Sequence, residues 1–254
     1  MLIIPAIDLR EGRCVRLVRG DFARETSYGN DPVRVARHWA ELGAPWIHVV
    51  DLDGARDGAP AQLDLVRQIA EIGANVELGG GLRSLDDFRA AFLAGARRVV
   101  IGTVAVENDL ILRQAVRAFG PEAVVLGVDA RDGLVATHGW SRVGRIESTV
   151  LIERARASGV TRVIYTDIDR DGTLTSPNIP AIAAMAQLGL SVIASGGVAS
   201  LSDLRQLAAI PGVEAAIVGK ALYEGTVTVE TAAEWRVDSI SEVRGVGVSD
   251  DRPK

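Results

Sequence analysis

The chain has 254 residues, of which 48% are apolar but only 4% aromatic, and a net charge of −5 from 28 Lys and Arg against 33 Asp and Glu. That balance argues against a nucleic-acid or membrane surface, and the single cysteine, Cys14, rules out an intrachain disulfide and any multi-cysteine metal site. No apolar run is long enough to span a bilayer and no secretory leader is read, so a soluble cytoplasmic protein is expected.

The first predicted element is a strand over Leu2–Ile7, an apolar run that ends in the carboxylate of Asp8 and then in turn chemistry. A long polar segment, Leu9–Asn30, follows it, carries Arg16 and Arg19, and is read as a loop that closes as a lid. Helical spacing over Val33–Leu42 leads to a strand at Trp46–Val50 ending in Asp51, and a helix over Leu63–Ile72 leads to a strand at Asn75–Leu78 ending in Gly79-Gly80-Gly81. The next helix, Leu85–Ala94, precedes a strand at Arg98–Ile101 that ends in Gly102-Thr103. After a helix over Leu110–Phe119, the fifth strand, Ala123–Val128, ends in Asp129 and opens a second long loop, Ala130–Glu147, with His138 and Trp140. The last units are a helix over Val150–Ala157, a strand at Arg162–Tyr165, a helix over Ile179–Leu188, a strand at Ser191–Ala194, a helix over Leu201–Ala208 and a strand at Glu214–Val218. Residues 1–236 are read as one domain and 237–254 as a polar, frayed tail.

Eight strands alternating with helices predict an α/β protein with parallel strands and right-handed crossovers, either a closed (β/α)8 barrel or an open doubly wound sheet. The chain also repeats itself, which favours the barrel. Val76-Glu77-Leu78-Gly79-Gly80-Gly81 aligns with Val192-Ile193-Ala194-Ser195-Gly196-Gly197 at an offset of 116 residues, and Asp51 meets Asp167 at the same offset. Gly102 matches Gly219, and Asp8 matches Asp129, at nearly the same spacing. Four consecutive strand ends thus recur, as two fused half-barrels would give.

Barrel active sites lie at the C-terminal strand ends, so polar strand tips are the candidates. Asp8 and Asp129 fall on the first and fifth strands, opposite one another, and suit a reaction with one base and one acid. Gly80-Gly81 and Gly196-Gly197 each follow a strand and precede a Ser-x-x-Asp helix start, Ser84 to Asp87 and Ser200 to Asp203. With Gly102-Thr103 and Gly219-Lys220 they predict two phosphate cradles made of backbone N–H groups. His38 and His48 read as packing residues, whereas His138 could approach a ligand. Asp167 through Gly172 imitates the start of a calcium loop, but Asn178 stands where the closing Glu belongs. Asp171 is therefore read as a polar group facing the site, and no metal or cofactor is expected.

Pro5-Ala6-Ile7-Asp8-Leu9, Val49-Val50-Asp51-Leu52-Asp53-Gly54, Gly79-Gly80-Gly81-Leu82-Arg83, Thr166-Asp167-Ile168 with Asp171-Gly172-Thr173, and Ala194-Ser195-Gly196-Gly197-Val198 together closely resemble the family of histidine-biosynthesis isomerases that act on phosphoribosylformimino-5-aminoimidazole carboxamide ribotide (ProFAR). The resemblance spans about residues 1–230 and every strand. It implies an Amadori rearrangement of a small molecule bearing a phosphate at each end, in a cytoplasmic monomer that needs no cofactor. It implies Asp8 as the base, Asp129 or Asp171 as the acid, and Thr166 as an orienting neighbour. It implies Trp140 as a stacking partner of the aminoimidazole. Arg16, Arg19, Gly172 and the two cradles are the remaining substrate contacts expected. Three alternatives stay open: the sister cyclase, which characteristically has cysteine in place of Ala6; a bifunctional relative that also isomerises phosphoribosyl anthranilate, in which an arginine stands near the place of His138; and a non-catalytic phosphate-binding barrel.

Overall fold

The computed structural model describes residues 1–108 and 110–228. The expected end of the barrel at 236 and the expected tail over 237–254 lie outside these described residues.

In chain order the strands are β1 (Leu2–Arg10), β2 (Arg13–Val18), β3 (Asp21–Gly29), β4 (Trp46–Asp51), β5 (Asn75–Gly79), β6 (Arg98–Ile101), β7 (Val124–Arg131), β8 (Leu134–Thr137), β9 (Arg142–Glu147), β10 (Arg162–Asp167), β11 (Ser191–Ser195) and β12 (Val213–Val218). The helices are α1 (Pro32–Glu41), α2 (Leu52–Asp57), α3 (Leu63–Ala70), α4 (Leu85–Leu93), α5 (Thr103–Glu107), α6 (Ile111–Phe119), α7 (Ser148–Ala157), α8 (Ile179–Ala186), α9 (Leu201–Ala208) and α10 (Lys220–Tyr223). Eight of the strands pair in parallel in the order β1, β4, β5, β6, β7, β10, β11, β12, and β12 returns to β1, which closes a (β/α)8 barrel. All eight predicted strands are present.

The two long segments predicted as loops are folded instead. β1 continues past Asp8 and turns back as β2, with Asp8 opposite Val15, and β2 pairs with β3. β7 likewise turns back into β8 and β9. These antiparallel arms escaped the sequence because β3 and β9 are mostly exposed and carry no apolar alternation to mark them.

Apolar side chains fill two cores. One lies between the strands and the surrounding helices and includes Ile7, Ile47, Phe88 and Leu126. The other fills the barrel with Ile4, Ala6, Val125, Ile164, Ile193 and Ile217. The Ser-x-x-Asp signatures both start helices with a reciprocal capping box: the Asp87 and Asp203 N–H groups donate to the Ser84 and Ser200 hydroxyls at 3.2 Å in each case. Among the described residues no helix is long and apolar enough to cross a membrane.

Candidate active site

A cavity of about 1260 Å³, open at its mouth, occupies the C-terminal end of the barrel and is lined by Asp8, Arg16, His48, Asp129, Thr166 and Asp171. β1 delivers Asp8, and β7 and β10 deliver Asp129 and Thr166 as register partners. Asp171 comes from the turn after β10, which Asp167 ties down by accepting from the Asn178 side chain at 2.7 Å. This is why Asp167 is a turn-building residue. Its counterpart Asp51 has the same use, capping α2 through the Gly54 N–H and holding Ala61 and Gln62.

Arg16, on β2, reaches back over the barrel mouth. One guanidinium nitrogen lies 3.0 Å from Asp8 and another 3.7 Å from Asp171. Burial works against its charge, but the two carboxylates hold it firmly protonated. Burial pushes the Asp171 carboxyl up to about 6, with Arg16 pulling it down and Asp8 and Asp129 pushing it further up. Burial also raises Asp129, against hydrogen bonds donated by the Trp140 indole and Thr166 hydroxyl and against the nearby charge of His48. The three carboxylates are thus held in different environments around one space, which is how one site comes to contain both an acid and a base.

The glycine pairs sit on two sides of this space. Gly80, Gly81, Gly102 and Thr103 line the central cavity. Gly172, Gly196, Gly197, Gly219 and Lys220 line an adjoining cavity of about 300 Å³ that shares Arg16 and Asp171 with the first. The halves match closely: Gly102 and Gly219 have φ, ψ of −104°, −98° and −104°, −96°. Gly197 needs its lack of a side chain, because its φ is +85° and a Cβ would fall 2.6 Å from the Ser176 carbonyl oxygen. Trp140 projects from the second arm onto the first, and a Cβ at Gly20 would lie 2.5 Å from its ring. The Thr103 hydroxyl accepts from the backbone N–H of His138 at 2.9 Å, so it also anchors the second arm.

A strand-end cavity with a duplicated glycine cradle and inward carboxylates is a frame shared by many barrels, so family comparison decides among them. The family model for the histidine biosynthesis protein matches residues 2–228. The chain belongs to the histidine biosynthesis protein family. Proteins named 1-(5-phosphoribosyl)-5-((5-phosphoribosylamino)methylideneamino) imidazole-4-carboxamide isomerase are similar to it along nearly their whole length. That of Thermomicrobium roseum is 55% identical over 92% of this chain and 97% of its own. The Roseiflexus castenholzii protein is 51% identical over 91% of this chain and 98% of its own. The Moorella thermoacetica protein is 51% identical over 94% and 99%.

Within this histidine biosynthesis protein, two residues expected near the ligand do not line the central cavity. Arg19 is outside the central cavity: its side chain donates to the Asp169 carbonyl at 3.0 Å, and with Arg24 it borders a surface depression that shares Gly172 and Lys220 with the second cradle. His138 turns away to face Glu107 at 3.3 Å. His48, read as packing, instead lines the cavity, as does Arg83 beside the first cradle. An inward residue in the middle of a strand looks like core in a sequence, and only the alternation from Ala6 and Asp8 through their β4 partners places His48 on the inner face.

Proposed function

We propose that this chain isomerises ProFAR, the imidazole carboxamide substrate in the name of its relatives, by an Amadori rearrangement of the phosphoribosylamino group from aminoaldose to aminoketose. The observation that carries the reading is the pair of matched glycine cradles flanking Asp8, Asp129 and Asp171. A molecule with a phosphate at each end can lie between them with one sugar over the carboxylates.

Asp171, raised to about 6, protonates the furanose ring oxygen as the C1′–O bond breaks and the nitrogen lone pair forms the iminium. Asp8 removes the C2′ proton, giving the enaminol. The hydroxyl at C2′ then returns its proton to Asp171 while C1′ gains one from Asp8, which leaves the ketose and restores both carboxyl groups. Asp8 is free to act only after the Arg16 ion pair opens, and a bound phosphate offers Arg16 an alternative anion. Asp129, held by hydrogen bonds from Trp140 and Thr166, orients the sugar. Stacking by Trp140, backbone N–H contacts at both cradles, and action as a cytoplasmic monomer belong to the same proposal.

Incubation with ProFAR, and separately with phosphoribosyl anthranilate, each without ammonia, tests it by chromatographic identification of the products. Conversion of ProFAR to the ketose is expected; no conversion would overturn the reading. Arg142 and Arg145 are exposed on β9, which lends the second substrate no support.

A further inference from the structure

Glu77 is the only fully buried carboxylate among the described residues whose place in the barrel is not a turn or a helix cap. It sits on β5 with no exposed surface, and its Oε1 lies 2.9 Å from Nδ1 of His48 on β4. Its Oε2 makes no hydrogen bond and stands 3.5 Å from Arg98, whose guanidinium stacks 3.8 Å above the Trp46 ring. A buried ion pair of this kind contributes little net stability, because desolvation offsets its attraction. The duplication supplies an internal control. At the 116-residue offset His48 and Glu77 correspond to Ile164 and Ile193, which are register partners in the second half and pack in the barrel core. This layer of the barrel therefore folds with two isoleucines, and the polar pair in the first half needs a reason other than packing.

We propose, resting on the reading as a ProFAR isomerase, that Glu77 is a positioning residue. It holds the Nδ1–H of His48 toward the barrel wall, so that Nε2 faces the cavity beside Asp129 and Asp171 and hydrogen-bonds the reacting sugar. A carboxylate behind an imidazole fixes both its tautomer and its ring orientation, as in catalytic triads and metal sites. His48 lines the cavity together with Asp8, Asp129 and Asp171. The ring is thus the one nitrogen base on the wall formed by β4, and it can hold the hydroxyl whose proton is lost when the enaminol becomes the ketone.

Two readouts test this. The chain has three histidines, so nitrogen-15 labelling of their rings resolves His48 directly. A Nδ1-bound proton shifted downfield by a carboxylate partner is expected, and its loss in Glu77→Leu; a ring protonated only at Nε2 would overturn the proposal. In turnover, Glu77→Leu is expected to lower kcat by about 10–100-fold, the usual cost of removing a carboxylate behind a functional histidine, with KM little changed. Glu77→Gln, whose amide oxygen still accepts the Nδ1–H, is expected to fold and to restore most of kcat. In a His48→Ala background the same Glu77 changes are expected to have no further effect on kcat. Equal effects in both backgrounds, or a Glu77→Leu protein with unaltered kcat, would overturn this proposal alone. A wild-type chain that does not convert ProFAR would overturn the functional reading, and this inference with it.

Discussion

The sharpest test of the acid is to move its pKa without touching it. Asp171 lies 3.7 Å from the nearer Arg16 nitrogen. At that distance a unit pair is worth ~4 kcal/mol at an effective dielectric of about 20, or about three pKa units. Arg16→Met removes this attraction and also leaves Asp8 unpaired, and both changes raise Asp171. Water entering the vacated space reduces the shift, so a rise of at least about one unit is expected. The acid must carry its proton to work, so the rate falls as pH rises through its pKa. The falling limb of kcat/KM, which reports the free enzyme, is therefore expected to begin near pH 6 in the wild type, since Asp171 is pushed up to about 6. In Arg16→Met that limb moves toward alkaline pH, although the absolute rate drops because a substrate contact is lost. In Asp171→Asn it disappears, and kcat falls by about 10²–10⁴. The assay is ProFAR turnover across about pH 5–9 with a denaturation check at each end. A limb that stays in place or moves acid in Arg16→Met, or that survives in Asp171→Asn, would refute the assignment of Asp171.

Asp8→Asn is expected to leave less than about a tenth of kcat while preserving substrate binding, since it removes a base and no phosphate contact; steady-state kinetics and a binding titration separate the two. Gly197→Val drives a Cβ to within 2.6 Å of the Ser176 carbonyl oxygen, and loss of one charge-assisted contact of roughly 1.5–3 kcal/mol raises KM by about 10–150-fold. An unchanged KM would mean that phosphate does not bind at that turn. Trp140 fluorescence is expected to be quenched by substrate in a protein whose other tryptophans are replaced, and an unaltered spectrum would count against stacking. Rewriting the first half to match the second, with His48→Ile, Glu77→Ile and Arg98→Ala together, is expected to stabilise the fold by about 1–4 kcal/mol in urea, as apolar replacement of buried ion pairs often does, while kcat falls. A destabilised triple variant would show that the charges are needed by the fold.

The barrel was legible because the parallel strands are buried on both faces and so read as nearly continuous apolar runs, from Leu2–Ile7 to Glu214–Val218. The cradles were legible because their geometry requires glycine, and the requirement recurs in both halves. The arms were not. Arg13–Val18 is a buried strand, but its partner Asp21–Gly29 is mostly exposed and polar, and an antiparallel pair that rises above a barrel has no second apolar face to give it a pattern. Helices α2, α5 and α10 span six, five and four residues, too short for a helical period to register. His48 and Glu77 failed for a different reason. Their flanking residues are apolar, so each reads as a single polar interruption of a core strand, and only their register brings the two together.

The same register argues for how such a site is built. Both halves keep a glycine pair after one strand, a lone glycine after the next, and a capping box between, with nearly superimposable backbone angles at Gly102 and Gly219. On the proposed reading, phosphate capture uses that symmetry, because both ends of the ligand present the same group. The reaction cannot, because it occurs on one sugar only. On the proposed mechanism the chemistry accordingly rests on positions where the halves differ: Thr166 corresponds to Val50, Asp171 to Ala55, His48 to Ile164 and Glu77 to Ile193, all at the 116-residue offset. Asp8 and Asp129 are the shared pair, and their surroundings make them unequal. Arg16 closes on Asp8, and Trp140 with Thr166 closes on Asp129. On the proposed mechanism, then, the symmetric scaffold sets where the substrate lies, and the one-sided departures from it set which proton moves.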